Sequence, residues 1–452
     1  MAIALHVYRE TWFETGALGL LGGLIYVRHR YQSNGLILGI GLALTASFVL
    51  SWLSLWNDPA MALALKMAHL VPLLALAYLA MRFSYVEAQP GFIRWPGVYL
   101  LGLQIGISVY FVFNPVSPLI PGVVWLMLSV GTLELASLIS KRVSEQSLQN
   151  GESYRYVLHL GYAYILAFVV RHFLVDLQAE VYLGPVHARL LIEGFAIAVS
   201  LYWWLYRPTP AIERCKNWLY LHPLFLELSL LFFVVIVLTE VSQLWHPLYW
   251  AVTAVALLMI KDWGSTASRL RFYSLLFSWA ASLHLAAVTS VYVTPTVRWY
   301  EEAWVSGSIT VSLLFVYLWQ SHRRLILSQI EFPASLAFCS LWVGKIDQRK
   351  PLWIYYPFFF CIAIYLYAGF DKSILTLLWV IEAFGVFVLS IVLKEQHFRY
   401  ISLTALAVCL MRLLLYDLAQ SDTLTRAIVF LGVGLIMLLM HSVYNKFKGR
   451  FT

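Results

Sequence analysis

Residues 219–241 read LYLHPLFLELSLLFFVVIVLTEV, a run long and apolar enough to cross a bilayer, and comparable runs follow one another along almost the whole chain. Nothing else in the sequence constrains the fold as strongly. A hydrocarbon core about 30 Å thick requires ~20 apolar residues per helix, whereas a membrane barrel reads as roughly ten-residue segments of alternating polarity. The runs here are continuous, so the spans are expected to be helices. Of 452 residues, 61% are hydrophobic and only 12% charged, against roughly 25% charged in ordinary soluble domains. No stretch remains for a separate soluble domain. The expectation is an all-α, polytopic membrane protein of about fifteen transmembrane helices.

Basic residues order those helices. Clusters recur at Arg28 and Arg30, Arg82, Lys141 and Arg142, Arg207, Arg269 and Arg271, Arg323 and Arg324, Lys394, and Lys446, Lys448 and Arg450. Between consecutive clusters lie two apolar segments joined by a short turn rich in Pro, Gly, Asn or Asp, such as WNDPA (56–60) or FNPVSPLIPG (113–122). That is a repeated helical hairpin. Placing every cluster in the cytoplasm satisfies the positive-inside rule throughout. It puts the N-terminus outside, the C-terminus inside, and spans from 12–27, 35–55 and 61–81 through to 425–444. The first segment carries Glu14 and lacks a basic leader, so it reads as a retained span rather than a signal peptide. Residues 325–344 fit poorly. They hold Glu331 and Pro333 and precede Lys345, Arg349 and Lys350, so a crossing would invert every later cluster. An interfacial or re-entrant segment at 325–351 is expected, dividing a hairpin-repeat region (1–324) from a C-terminal four-helix region (352–452).

Two hairpins echo each other. RHFLVDL (171–177) is followed by Arg189 and IEGF (192–195); RLLLYDL (412–418) is followed by Arg426, with IEAF at 381–384. Duplication accounts for this. Trp125, Trp250, Trp304 and Trp379 stand near the outer starts of inward-running helices, where an interfacial aromatic belt is expected. The stretch 377–447 resembles the tail of a family of predicted bacterial multi-pass membrane proteins known only as a domain of unknown function. Trp379, Glu382, Arg412, Asp417 and Arg426 carry the resemblance. It implies a bacterial membrane location and supplies no activity.

An ionisable group at mid-bilayer costs ~2.5–3.5 kcal/mol on insertion scales, so each must face a partner or a wet cavity. Arg171 and Asp176 are five residues apart, about 140° out of register on a helix, and so are Arg412 and Asp417. Each should therefore look to a neighbouring helix. Hairpin clamps Asp176–Arg189 and Asp417–Arg426 are expected, with Arg171 and Arg412 reaching Glu193 and Glu382 or backbone carbonyls. Arginines with donors to spare (Arg171, Arg189, Arg412, Arg426) are candidates to hold an anionic headgroup, a lipid phosphate or a polyprenyl-linked diphosphate, because guanidinium binds phosphate bidentately. His172 shares a face with Asp176 and is a weak candidate proton relay; His284 reads as a core histidine, with a relay the weaker alternative.

The four cysteines are scattered without CxxC or paired histidines, so no metal site is indicated, nor any cofactor. Walker, GxSxG and HExxH motifs are absent from the sequence. The net charge of +8 comes from the cytoplasmic clusters and reports topology rather than nucleic-acid binding. The expected role is a non-enzymatic scaffold or lipid-handling component of a bacterial envelope system. Its expected partners are membrane lipids and a membrane protein docked on lipid-facing helices. A transporter or flippase for an anionic or lipid-linked substrate, and an intramembrane transferase, are the alternatives.

Overall fold

The computed structural model describes residues 94–146, 153–183, 185–205, 222–260, 265–293, 301–324, 337–370, 372–394, 396–413 and 423–447, with parts of 66–78 and residues 332 and 415. Helices dominate. Those of the first part are α1 (Arg94–Phe113), α2 (Ile120–Gln146), α3 (Ser153–Leu174), α4 (Ala188–Leu205) and α5 (Phe225–Glu240). The second part holds α6 (His246–Met259), α7 (Ser265–Tyr292), α8 (Glu302–Arg324), α9 (Ala337–Gln348), α10 (Lys350–Gly369), α11 (Lys372–Leu393), α12 (Gln396–Arg412) and α13 (Thr423–Phe447). The one described sheet is a two-residue antiparallel ladder between α3 and α4, pairing Tyr182 with His187 and Leu183 with Val186.

Among the described residues, nine helices are long and apolar enough to cross a membrane, and Val98–Phe113 and His246–Met259 are shorter apolar helices. The chain is a multi-pass, membrane-type helical protein. The expected spans at 12–27 and 35–55 lie outside the described residues, and 61–81 is described only in part, so nine stands where fifteen was expected. Within the segment that fitted poorly, Ala337–Gln348 forms a helix of 12 residues, about 18 Å long and shorter than a span requires. Most of 325–336 lies outside the described residues.

The chain divides into two compact units, Met1–Ile236 and Val237–Thr452. In the first, α1, α2 and α3 pack closely because glycines let partners approach: the Tyr164 hydroxyl donates to the Gly102 carbonyl at 2.6 Å, and the Trp125 indole to the Gly106 carbonyl at 2.9 Å. The core runs through Leu126, Leu133, Tyr162, Phe168, Ala196, Trp203 and Phe232. In the second unit indoles again bond the backbone of a neighbouring helix, here without glycine at the acceptor. The Trp279 indole donates to Trp353 O at 2.7 Å and the Trp379 indole to Ala363 O at 3.1 Å, tying α10 to α7 and α11. The backbone turns out of α11 through Lys394, whose φ of 58° is left-handed, and α12 begins two residues later.

These indoles revise the aromatic-belt expectation. Trp125 and Trp379 bond to neighbouring helices, and Trp250, 4% exposed, donates to His284 Nδ1 at 3.3 Å. An indole N–H inside a bundle has no water to serve it, and in these three it takes a carbonyl or imidazole of the adjacent helix, whereas the buried Trp304 Nε1 makes no hydrogen bond among the described residues.

Candidate functional site

Four ionisable side chains of the first unit meet in its interior: Arg171, His172, Asp176 and Glu193, the last three fully buried and Arg171 7% exposed. Arg171 Nε lies 3.3 Å from Asp176 Oδ1, at ion-pair distance but without hydrogen-bond alignment. Its Nη2 donates to Asn114 Oδ1 at 2.9 Å and to the Pro118 carbonyl. The guanidinium carbon stands 5.4 Å from the Tyr110 ring centre and 5.9 Å from that of Trp125, within cation–π range. His172 Nε2 bonds to Glu193 Oε1 at 2.9 Å, and its Nδ1 is 4.0 Å from Asp176 Oδ2. The rings of Phe168, Phe173 and Phe232 enclose the imidazole, with centres 5.4 to 5.9 Å away.

The Arg171–Asp176 contact corrects the helical arithmetic. α3 ends at Leu174, Val175 leaves helical geometry at φ −127° and ψ −53°, and Asp176 opens a 3-10 turn. Across that break, 100° per residue no longer applies, and Asp176 swings back to the arginine one turn below. The approach also needs Gly122 on α2, where an added Cβ would come within 2.7 Å of Asp176 Oδ2. Deep in the bundle the cluster is held by shape as well as charge.

The other expected residues fall as follows. Arg189 does not meet Asp176; its Nη1 donates to the Leu177 carbonyl at 2.9 Å. Glu193 is taken by His172 rather than Arg171. Arg171 does reach a backbone carbonyl, that of Pro118. In the second unit, Arg412 Nε donates to Thr376 Oγ1 at 2.9 Å and its guanidinium covers Trp379 at 5.2 Å. Glu382 instead lines a cavity. Asp417 and the Arg426 side chain lie outside the described residues, and the second clamp with them. His284 receives the Trp250 indole and packs edge-on against His246, ring centres 5.0 Å apart, as a hydrogen-bonded core residue does.

Asn114, Pro118, Tyr110 and Trp125 were not foreseen as partners of Arg171. A signal existed in FNPVSPLIPG: a proline-rich turn breaks the helical hydrogen-bond ladder and leaves carbonyls free to accept.

Beside the cluster is an apolar cavity of about 540 Å³ between α1, α2 and α3, with Arg171 in its wall among Tyr110, Phe111, Trp125, Val170 and Leu174. Among the described residues no group of three His, Cys, Asp or Glu side chains is arranged to hold a metal ion. Comparison with protein-family models, curated proteins and solved structures finds no match to this chain. Any functional reading therefore stands on geometry.

Proposed function

We propose that this protein is a non-enzymatic integral membrane scaffold of a bacterial cytoplasmic membrane, oriented with its N-terminus outside and serving an envelope system. One observation carries the reading. The four clustered charges of the first unit are spent within the fold: Arg171 on Asp176, Asn114 and Pro118, and His172 on Glu193. Charges committed in this way lock α1, α2, α3 and α4 together, which suits a rigid platform better than a site that exchanges substrate.

A lipid-handling role is the second reading, and the cavity beside Arg171 favours it. Its apolar wall suits an acyl chain, and a guanidinium at the wall suits an anionic headgroup. Arg171→Gln, purified in lipid nanodiscs, separates the two. The scaffold reading expects a large drop in thermal stability with the amount of bound phospholipid per protein unchanged. Loss of bound anionic lipid from protein of undiminished stability would overturn it in favour of lipid handling.

A further inference from the structure

The second unit contains a cavity of about 530 Å³ bounded by α10, α11 and α12, within the roughly 300–1,000 Å³ typical of sites for small organic ligands. Its wall is hydrocarbon and aromatic. Tyr356, Phe359, Phe360, Tyr367 and Trp379 line it, and so does one ionisable carboxyl, that of Glu382.

Glu382 is the eleventh of the 22 residues of α11, so it sits about 15 Å from either end of the helix, near the middle of a bilayer. Among the described residues it makes no hydrogen bond and no ion pair. The nearby cation is committed elsewhere on α11: Arg412 bonds Thr376 and covers Trp379. Cys361 and Cys409 beside Glu382 are thiols, and Tyr356 and Tyr367 of the cavity wall are phenols; none of them brings a positive charge.

A lone carboxyl at mid-bilayer is costly unless something compensates it, and such a group marks a functional site by default. Neither an anion nor an alkane would compensate it. A proton would, by neutralising it, and so would an organic cation, for which the aromatic wall is suited even though Arg412 already covers Trp379. Aromatic faces attract a diffuse positive charge electrostatically, while their bulk excludes a hydrated ion. Charge complementarity and wall chemistry thus point to the same ligand class.

We propose that the cavity between α10, α11 and α12 is a binding site for a lipophilic organic monocation, with Glu382 as its counter-charge and Tyr367, Trp379 and Phe359 among its walls. The site is independent of the charge cluster in the first unit and carries ligands of the opposite sign to the lipids considered there.

Tetraphenylphosphonium and tetraphenylborate, nearly equal in shape and opposite in charge, test it. Binding to the full-length protein in zwitterionic nanodiscs is measured by equilibrium dialysis, with empty nanodiscs as the baseline for partitioning. Expected is saturable binding of the phosphonium, at least ten-fold tighter than of the borate. Glu382→Gln should weaken phosphonium binding at least ten-fold, while Ala405→Phe, which fills the cavity and leaves the carboxyl in place, should also weaken it. Equal binding of both probes, or unchanged phosphonium binding by a folded Glu382→Gln protein, overturns the proposal and leaves an apolar groove for acyl chains. Should Glu382→Gln fail to fold, Ala405→Phe decides: unchanged phosphonium binding overturns the site, and its loss supports it.

Discussion

Arg171 and Asp176 stand five residues apart in sequence and 3.3 Å apart in space, their side chains 6% and 0% exposed. The contact exists because α3 stops between them. Each charge is therefore buried for the sake of the other. Removing one partner strands the second, a loss of roughly 3–5 kcal/mol for buried pairs. Asp176→Leu should destabilise the purified protein on that scale, whereas Asp176→Leu combined with Arg171→Met should cost less than the two singles added together. Thermal unfolding in one detergent provides the measurement. Strict additivity would show that the two side chains do not interact.

Gly122 and Gly131 both lie on α2 and should respond in opposite ways to alanine. At Gly122 the new Cβ meets Asp176 Oδ2 at 2.7 Å, so the carboxylate must move off Arg171; at Gly131 nothing lies within 4 Å. Overpacking costs typically about 1–3 kcal/mol, while glycine to alanine in an open helical position gains up to ~1 kcal/mol. Gly122→Ala should lower the unfolding temperature and Gly131→Ala leave it unchanged or raise it. A neutral Gly122→Ala would mean that the Arg171–Asp176 pair tolerates displacement.

Hydropathy alone made the helical membrane architecture legible, because apolar runs such as that in α5 have no other stable form in a bilayer. It also flagged Arg171, His172, Asp176 and Glu193, since charges in such runs are conspicuous. Their pairing was hidden. Helical periodicity assigns faces only while the helix continues, and no proline or glycine between residues 171 and 176 marks the break at Val175. Glu193 and Arg171 seemed natural partners by charge, yet His172 is the group on α3 that faces α4 at that level. That Glu382 meets no ion-pair partner among the described residues was equally unreadable, because a sequence shows which charges exist and not which of them meet.

Orientation can be checked at two exposed described positions. Val116, 72% exposed, lies in the turn between α1 and α2, and Asn445 is exposed near the end of α13. In a background without the four native cysteines, a membrane-impermeant maleimide applied to intact cells should label Val116→Cys and spare Asn445→Cys until the cells are opened. The reverse pattern would invert the proposed topology.

The His172–Glu193 bond, at 2.9 Å between fully buried groups, offers a sharper test of whether the cluster is structural. Glu193→Gln keeps an oxygen that can accept from His172 Nε2, so its cost should stay near ~1 kcal/mol, the net worth of an ordinary hydrogen bond. His172→Phe is different: the ring suits the cage of Phe168, Phe173 and Phe232, but the Glu193 carboxylate loses its donor in a place water does not reach. That should cost about 1–3 kcal/mol, more if the charge is retained. Replacing both at once, His172→Phe with Glu193→Leu, removes donor and acceptor together and should restore much of the lost stability, since matched apolar substitution of a buried polar pair can be nearly neutral. Recovery in the double variant, read as thermal stability in nanodiscs, identifies the pair as a clamp that packing can replace. If the double variant is no more stable than His172→Phe alone, the polar pair supplies something that packing does not, and the scaffold reading of the cluster fails at its centre.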